Sequence, residues 1–334
     1  MEGIVFEKLN SLGALLEPLN PFKVAVLTNT TVRDIWLEEV LDSISEYEVH
    51  PIIIPDGEKY KDLETARYVW EKLIKIGFTR KSLLIGLGGG VITDIAGFVA
   101  STYMRGTLLG LIPTTLLAQV DAAIGGKTGI NFHGKNMIGT FYLPNFVLID
   151  IMTLSTLPMV EVLNGLAEVV KYAILDREVY EILTRISSPQ EAIKSEELIR
   201  KSVEVKVRVV EEDLRESGKR RILNLGHTVG HAIEKLSGYK IKHGFAVSVG
   251  LVVASKLGER LYGFDSGKVY ELLKKFGLPI NLPFEPSKVL EAMKLDKKAW
   301  YGKIVFIIPV KIGEVVIEEV PESLVLEVLR EVRE

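Results

Sequence analysis

The chain has 334 residues, 47% of them hydrophobic and 25% charged, with a formal net charge of −3. Such a composition suits a globular protein with room for two domains, and it supplies no basic field for a nucleic-acid partner. Zero cysteines exclude disulfides, thiolate metal sites and cysteine nucleophiles, so any metal must be held by His, Asp or Glu.

The opening MEGIVFEKLN lacks a charged segment followed by an apolar stretch, and the longest apolar runs, such as Phe245–Ser255, are too short to cross a bilayer. A cytoplasmic protein with no membrane partner is therefore expected. Val24–Thr28, Val49–Ile54, Ser82–Leu87, Leu108–Ile112 and Phe146–Ile149 read as buried strands. Amphipathic stretches at Val32–Ile44, Leu63–Ile76 and Val91–Tyr103 alternate with them. This alternation predicts an α/β domain, a Rossmann-like doubly wound parallel sheet covered on both faces. After Pro158 helical patterns dominate: Pro158–Leu175, Val179–Ile186, Ser195–Leu214, Gly226–Leu236, Gly244–Leu261, Val269–Phe276 and Ser287–Met293. Ile304–Ile308 and Glu314–Val320 predict a small hairpin, with a last helix opening at Pro321. The change of character falls near residues 150–157. The expected organisation is an α/β domain at 1–155 and a mainly helical, all-α domain with a small hairpin at 156–334.

Three polar clusters lie at predicted strand ends: Asp56-Gly57-Glu58-Lys59-Tyr60-Lys61, Gly88-Gly89-Gly90-Val91-Ile92-Thr93-Asp94 and Pro113-Thr114-Thr115. Ligands of open α/β sheets bind outside the carboxyl ends of the strands, and glycines before a helix let backbone amides approach a pyrophosphate. The glycine run is neither GxGxxG nor a Walker loop, and alone it reads equally well as a tight turn. With its neighbours, and with Asn29 placed to reach a ribose, it fits a dinucleotide best.

His227 and His231 stand four apart on one helical face, as in HxxxH zinc motifs, but Thr228 stands where a protease carries its general-base Glu. His243 follows shortly, before another helical pattern. Glu168 lies in the apolar run GLAEVVK, where a charge is costly unless paired or coordinated, with Lys171 one turn on. Two histidines and one carboxylate with an open position form a catalytic rather than a structural zinc arrangement. A second basic, glycine-rich region spans Asp121, Gly125-Gly126-Lys127-Thr128 and Gly134-Lys135-Asn136. Arg105, Lys206, Glu216, Arg220 and Asn224 add further charged and polar groups. So many cations beside a metal suit a small-molecule substrate with several negative charges.

Taken in order, DGEKYK at 56–61, GGGVITD at 88–94, MRG at 104–106, PTTL at 113–116, VDAAIGGKT at 120–128, GKNMIG at 134–139, GLAEVVK at 165–171, NLGHTVGH at 224–231, His243-Gly244 and Asp296-Lys297-Lys298 resemble the 3-dehydroquinate synthases, within the sugar-phosphate cyclases. The resemblance runs from about residue 24 to residue 310. It implies a carbon–oxygen lyase of the shikimate pathway, which leads to chorismate and the aromatic amino acids. Its reaction turns 3-deoxy-D-arabino-heptulosonate 7-phosphate (DAHP) into 3-dehydroquinate and phosphate by transient oxidation with NAD, phosphate elimination, re-reduction and intramolecular aldol closure. It further implies Glu168, His227 and His243 as ligands of Zn2+ or Co2+. For NAD it implies Asn29, the 56–61 loop, Gly89 to Asp94, Thr114, Thr115, Lys127, Lys135, and Thr153, Leu154, Ser155 and Thr156. Lys127, Asn136, Asn224, His231 and Lys297 resemble the substrate-phosphate set, which moves His231 from the metal to the substrate. Lys206 and Arg220 resemble a carboxylate clamp with Glu216 beside them; Asp121 and Lys171 would hold hydroxyls. Arg105 would reach the site of the second subunit in a homodimer. Thr93 replaces a frequent glycine of the family, Val160 replaces a frequent Arg, and the 127–135 segment is one residue short. The rival readings are a metal-dependent polyol dehydrogenase, a cyclase making an inosose or a valiolone, and an NAD-binding sensor.

Overall fold

The computed structural model describes residues 3–216, 218–296 and 303–333. The chain divides into two compact units, Met1–Leu157 and Pro158–Glu334.

In the first unit, strands β1 (Ile4–Phe6), β2 (Val24–Asn29), β3 (Val49–Ile54), β4 (Leu83–Gly88) and β5 (Leu108–Pro113) join one sheet. A separate antiparallel hairpin, β6 (Lys127–Ile130) and β7 (Ile138–Phe141), follows before β8 (Phe146–Ile149) returns to that sheet. The sheet is wholly parallel in the order β1-β8-β5-β4-β2-β3. Its central strands β2 and β4 are buried at every position because both faces are covered. On one face Val24, Val26, Leu83, Ile85 and Leu87 pack with Leu9, Leu12, Leu16, Leu37, Val40 and Ile44. The other face meets the Gly90–Thr102 helix so closely that a Cβ on Gly86 would lie 2.7 Å from the Ala96 Cβ.

Three features differ from the sequence expectation. β1 joins the sheet edge beside β8, and three half-buried residues carry too little pattern to announce it. The Val32–Ile44 stretch is a broken helix, with wide π-type turns at Arg33–Leu37 between short α segments. The basic glycine-rich segment is the β6–β7 hairpin, seated on the Gly90–Thr102 helix. There a Cβ on Gly97 would come within 2.3 Å of the Thr128 methyl.

The second unit is built on the Met159–Leu175 helix, buried along nearly its whole length from Val162. Around it run helices at Arg177–Arg185, Glu196–Glu212, His227–Leu236, His243–Tyr262, Gly267–Lys275 and Pro286–Asp296. A hairpin of β9 (Lys303–Lys311) and β10 (Glu314–Pro321) precedes the final Glu322–Arg333 helix, so Pro321 closes a strand rather than opening the helix. Ile304, Phe306, Ile307 and Ile308 are buried, and a Cβ on Gly258 would lie 2.3 Å from the Pro309 carbonyl. The hairpin therefore covers the His243–Tyr262 helix.

Two close approaches set the helix spacing in this unit. A Cβ on Gly250 would stand 1.9 Å from the Gly226 carbonyl oxygen, and one on Gly244 would stand 2.0 Å from that of Asn164. Gly226 itself holds φ +80° at the head of the His227–Leu236 helix, a conformation that an L side chain strains. None of the described helices is long and apolar enough to cross a membrane.

Candidate active site

The sheet order places a topological switch between β2 and β4: from β2 the chain first passes to β3 on one side, then to β4 on the other. Ligand crevices in open α/β sheets form at such points, at the carboxyl ends of the strands. Asn29 ends β2 and Gly88 ends β4. Asn29 caps the following turn by accepting the Val32 N–H at 2.8 Å, and its amide donates to Asp56 at 2.9 Å. Gly89 caps the Gly90–Thr102 helix, and its missing side chain matters: a Cβ there would lie 2.9 Å from the Thr115 methyl. The Thr93 hydroxyl folds back on the Gly90 carbonyl at 3.1 Å, so the residue that replaces a glycine leaves the mouth of the turn clear.

Lys61 is buried and donates to Asp94 Oδ2 and Asn136 Oδ1, each at 2.5 Å. One ammonium thus ties together the loop after β3, the glycine-led helix and the tip of the β6–β7 hairpin. Asn131, which sequence reasoning passed over, donates to Glu58 Oε1 at 2.9 Å and accepts the Asn136 N–H at 2.9 Å. Gln119, also unforeseen, is fully buried and donates to the Asp150 carbonyl at 2.9 Å and the Thr153 hydroxyl at 3.1 Å, fixing the loop that carries Thr153 to Thr156. Neither residue belongs to a periodic pattern, so neither leaves a sequence signal. Thr114 is buried, Asp121 and Lys135 are half-buried, and Lys127 is exposed. Met104 and Arg105 hold left-handed backbone, φ 48° and 65°, ahead of Gly106, which presents Arg105 to solvent.

In the second unit the Met159–Leu175, His227–Leu236 and His243–Tyr262 helices bring Glu168, His227 and His243 together, with their ligand atoms all within 4.8 Å of one another. Glu168 Oε1 lies 3.5 Å from His227 Nε2 and 3.2 Å from His243 Nε2. Its other oxygen lies 2.5 Å from the Lys171 ammonium, and both side chains are fully buried. The other ring nitrogens are also held. The Leu225 carbonyl accepts from His227 Nδ1 at 3.1 Å, and the Glu234 carboxylate accepts from His243 Nδ1 at 3.1 Å. Both Nε2 atoms therefore face Glu168 Oε1. An acceptor on one nitrogen with a bare donor on the other is how metal-binding imidazoles are oriented, so the donor set fits a divalent transition metal. With Oε2 engaged by Lys171, Glu168 offers a single oxygen.

Burial drives the His227 imidazole down to about 3, against the pull of Glu168, so it stays neutral and ready to coordinate. Burial also opposes charge on His243, but hydrogen bonds to Glu168 and Glu234 outweigh it and raise that ring to about 9. A metal ion entering the site displaces that proton. His231 is exposed, with its ring centroid 5.5 Å from that of His227, and it lies outside the set of close donors.

Arg220 is buried to 1% exposure and Lys206 to 7%. Arg220 Nη1 donates to the Leu214 carbonyl at 2.5 Å. The loop before it is folded by Asp213, whose carboxylate accepts the N–H groups of Gly218 and Arg220 at 2.7 and 3.1 Å. The Asn224 amide donates to Glu216 Oε1 at 2.6 Å, and Glu216 holds φ 57°. Lys297, expected at the substrate phosphate, lies outside the described residues.

The solved structures this chain resembles point to one class. A 2-deoxy-scyllo-inosose synthase complexed with carbaglucose-6-phosphate, NAD+ and Co2+ is 27% identical, with a TM-score of 0.88 over 98% of this chain and 96% of that one. The 2-epi-5-epi-valiolone synthase of Streptomyces hygroscopicus, with NAD+ and Zn2+ bound, is 28% identical with a TM-score of 0.90 over the same shares. A probable glycerol dehydrogenase from Sinorhizobium meliloti shares the fold alone, at 17% identity and a TM-score of 0.69 over 98% of this chain and 95% of that one. The fold is that of the sugar-phosphate cyclases. Within that class, the 3-dehydroquinate synthase N-terminal family matches residues 51–164 and the C-terminal family residues 165–299. A 3-dehydroquinate synthase of Pyrococcus furiosus is 69% identical over 100% of this chain and 99% of its own length, and one of Pyrococcus abyssi is 70% identical over the full length of both. The chain belongs to the 3-dehydroquinate synthase family.

Proposed function

We propose that this chain converts DAHP into 3-dehydroquinate and phosphate, with NAD and a divalent ion, zinc or cobalt, as cofactors. The observation that carries the reading is the Glu168–His227–His243 donor set, with Glu168 and His227 buried and His243 half-buried, in a unit that also buries the cations Arg220 and Lys206. Bound NAD supplies a transient hydride acceptor and the bound ion polarises the hydroxyl being oxidised.

The chain's own groups hold and orient. The Gly89-led helix start and the Asn29–Asp56 pair, at the switch point of the sheet, are suited to a pyrophosphate and a ribose. Glu168, His227 and His243 hold the ion. Arg220 and Lys206 clamp the substrate carboxylate, Arg220 with the two-pronged geometry that a guanidinium gives. This is the feature that favours DAHP over the inosose precursor, which has no carboxylate. Asp121 and Lys171 hold hydroxyls; Asn136, Asn224, His231 and Lys127 serve the phosphate, all but Asn224 being exposed. The same proposal includes action as a cytoplasmic homodimer, with the solvent-facing Arg105 reaching the site of a second copy.

Product analysis tests the reaction class: carbon NMR of a DAHP digest is expected to show the carbocyclic ketone of 3-dehydroquinate, and an open-chain oxidised ketose in its place would refute it. Arg220→Lys keeps the charge but removes the fork. Its KM for DAHP is expected to rise by roughly 10- to 100-fold, the worth of a charge-assisted hydrogen bond or two. An unchanged KM would remove Arg220 from the carboxylate site.

A further inference from the structure

The charged side chains buried in the second unit include a second carboxylate, Glu234, which no sequence motif flagged. It is 3% exposed and lies two turns beyond His227 on the same helix. Ionised carboxylates are rarely left in such surroundings without a specific partner, because desolvation costs several kcal/mol. The partner here is His243, whose Nδ1 donates to Glu234 Oε2 at 3.1 Å while its Nε2 faces Glu168 Oε1 at 3.2 Å.

The intervening turn is built to make that meeting. The Glu234 carbonyl accepts the Ser237 hydroxyl at 2.7 Å and the Tyr239 N–H at 2.8 Å, and the Ser237 hydroxyl in turn accepts the Ile241 N–H at 3.2 Å. Gly238 and Tyr239 both hold φ 61°, which reverses the chain. At the far end Asn164 accepts the Gly244 N–H at 2.7 Å, locking the start of the His243 helix to the helix that carries Glu168. The backbone therefore fixes where His243 begins, and Glu234 fixes which nitrogen its ring turns toward Glu168.

We propose that Glu234 is a positioning residue of the metal centre. Its carboxylate selects the His243 tautomer with Nε2 bare, aligns the ring and makes it a stronger donor to the ion. A backbone carbonyl does the aligning for His227, at Leu225, but brings no full charge. The two imidazoles are thus unequal ligands, His243 being the more basic. A carboxylate behind a metal-bound imidazole raises ligand basicity, and its removal typically costs 10- to 100-fold in metal affinity.

The inference rests on reading Glu168, His227 and His243 as the ligands, so the parent protein is assayed beside the variants. Metal-free protein, Glu234→Gln and Glu234→Ala are titrated with zinc against a chromophoric chelator, and the visible spectrum of each cobalt-loaded form is recorded. Circular dichroism of the metal-free proteins reports folding. The amide of Glu234→Gln still accepts from Nδ1 but carries no charge, so its affinity is expected to fall about 10-fold, that of Glu234→Ala about 100-fold, and the cobalt bands of both to shift. Folded variants that bind zinc within twofold of the parent, with unshifted cobalt bands, overturn the proposal. If Glu234→Ala does not fold, Glu234→Gln decides by the same criterion. A parent that binds no metal refutes the ligand assignment itself, a result separate from failure of the Glu234 role.

Discussion

Glu168→Gln is expected to abolish stoichiometric metal binding and to lower turnover of DAHP by at least roughly a thousandfold. It is also expected to destabilise the protein by about 3–5 kcal/mol, because it breaks a buried ion pair by removing the carboxylate that lies against the Lys171 ammonium. The two effects have different causes and can be separated. Glu168 and Lys171 are 0% and 1% exposed, and their charged ends lie 2.5 Å apart. Adding Lys171→Met to Glu168→Gln removes the ammonium as well as the carboxylate. Much of the lost stability should then return, while metal binding and activity stay absent. Denaturant melts with metal analysis read both. Retention of one tightly bound ion and full activity by Glu168→Gln would sink the ligand assignment. A double variant no more stable than the single would show that Lys171 draws its compensation from elsewhere.

Gly250→Ala should damage the metal centre without touching a ligand. Its Cβ would fall 1.9 Å from the Gly226 carbonyl oxygen, so the helix starting at His243 must move off the one starting at His227. Overpacking of this kind costs about 1–3 kcal/mol, and metal donors tolerate displacements of only about 0.2 Å. Zinc affinity is expected to fall at least about tenfold, together with the melting temperature. Gly258→Ala is the comparison: its Cβ meets β9, at the Pro309 carbonyl, 2.3 Å away. It should cost similar stability with little change in zinc affinity. Equal affinity in both variants would show that the Gly226–Gly250 approach does not set the donor spacing.

These glycines mark the boundary of what sequence reasoning reaches. The strands β2, β3, β4, β5 and β8 are legible because a parallel sheet covered on both faces needs unbroken apolar runs, and those runs stand out. Glu168 and the histidines are legible because charge within an apolar helix demands an explanation. Glu234, Asn164, Gln119 and Asn131 are not, because each acts on a residue whose nearness depends on chain reversal or helix packing. β1 and the β6–β7 hairpin are likewise set by tertiary partners, the β8 edge for one and Gly97 for the other. Thr93 shows the converse: the departure from a frequent glycine has a local solution, its hydroxyl capping back onto Gly90.

In the proposed reaction the chain carries out an oxidation that it later reverses within the same turnover. Purified protein is incubated with zinc, an excess of DAHP and NAD well below the substrate concentration, while phosphate release and NADH absorbance are followed together. Phosphate far in excess of the NAD present, with no accumulation of NADH, is the predicted result. NADH rising in step with substrate consumed, and stopping when NAD is exhausted, would contradict it and place the chain with the dehydrogenases that share its fold.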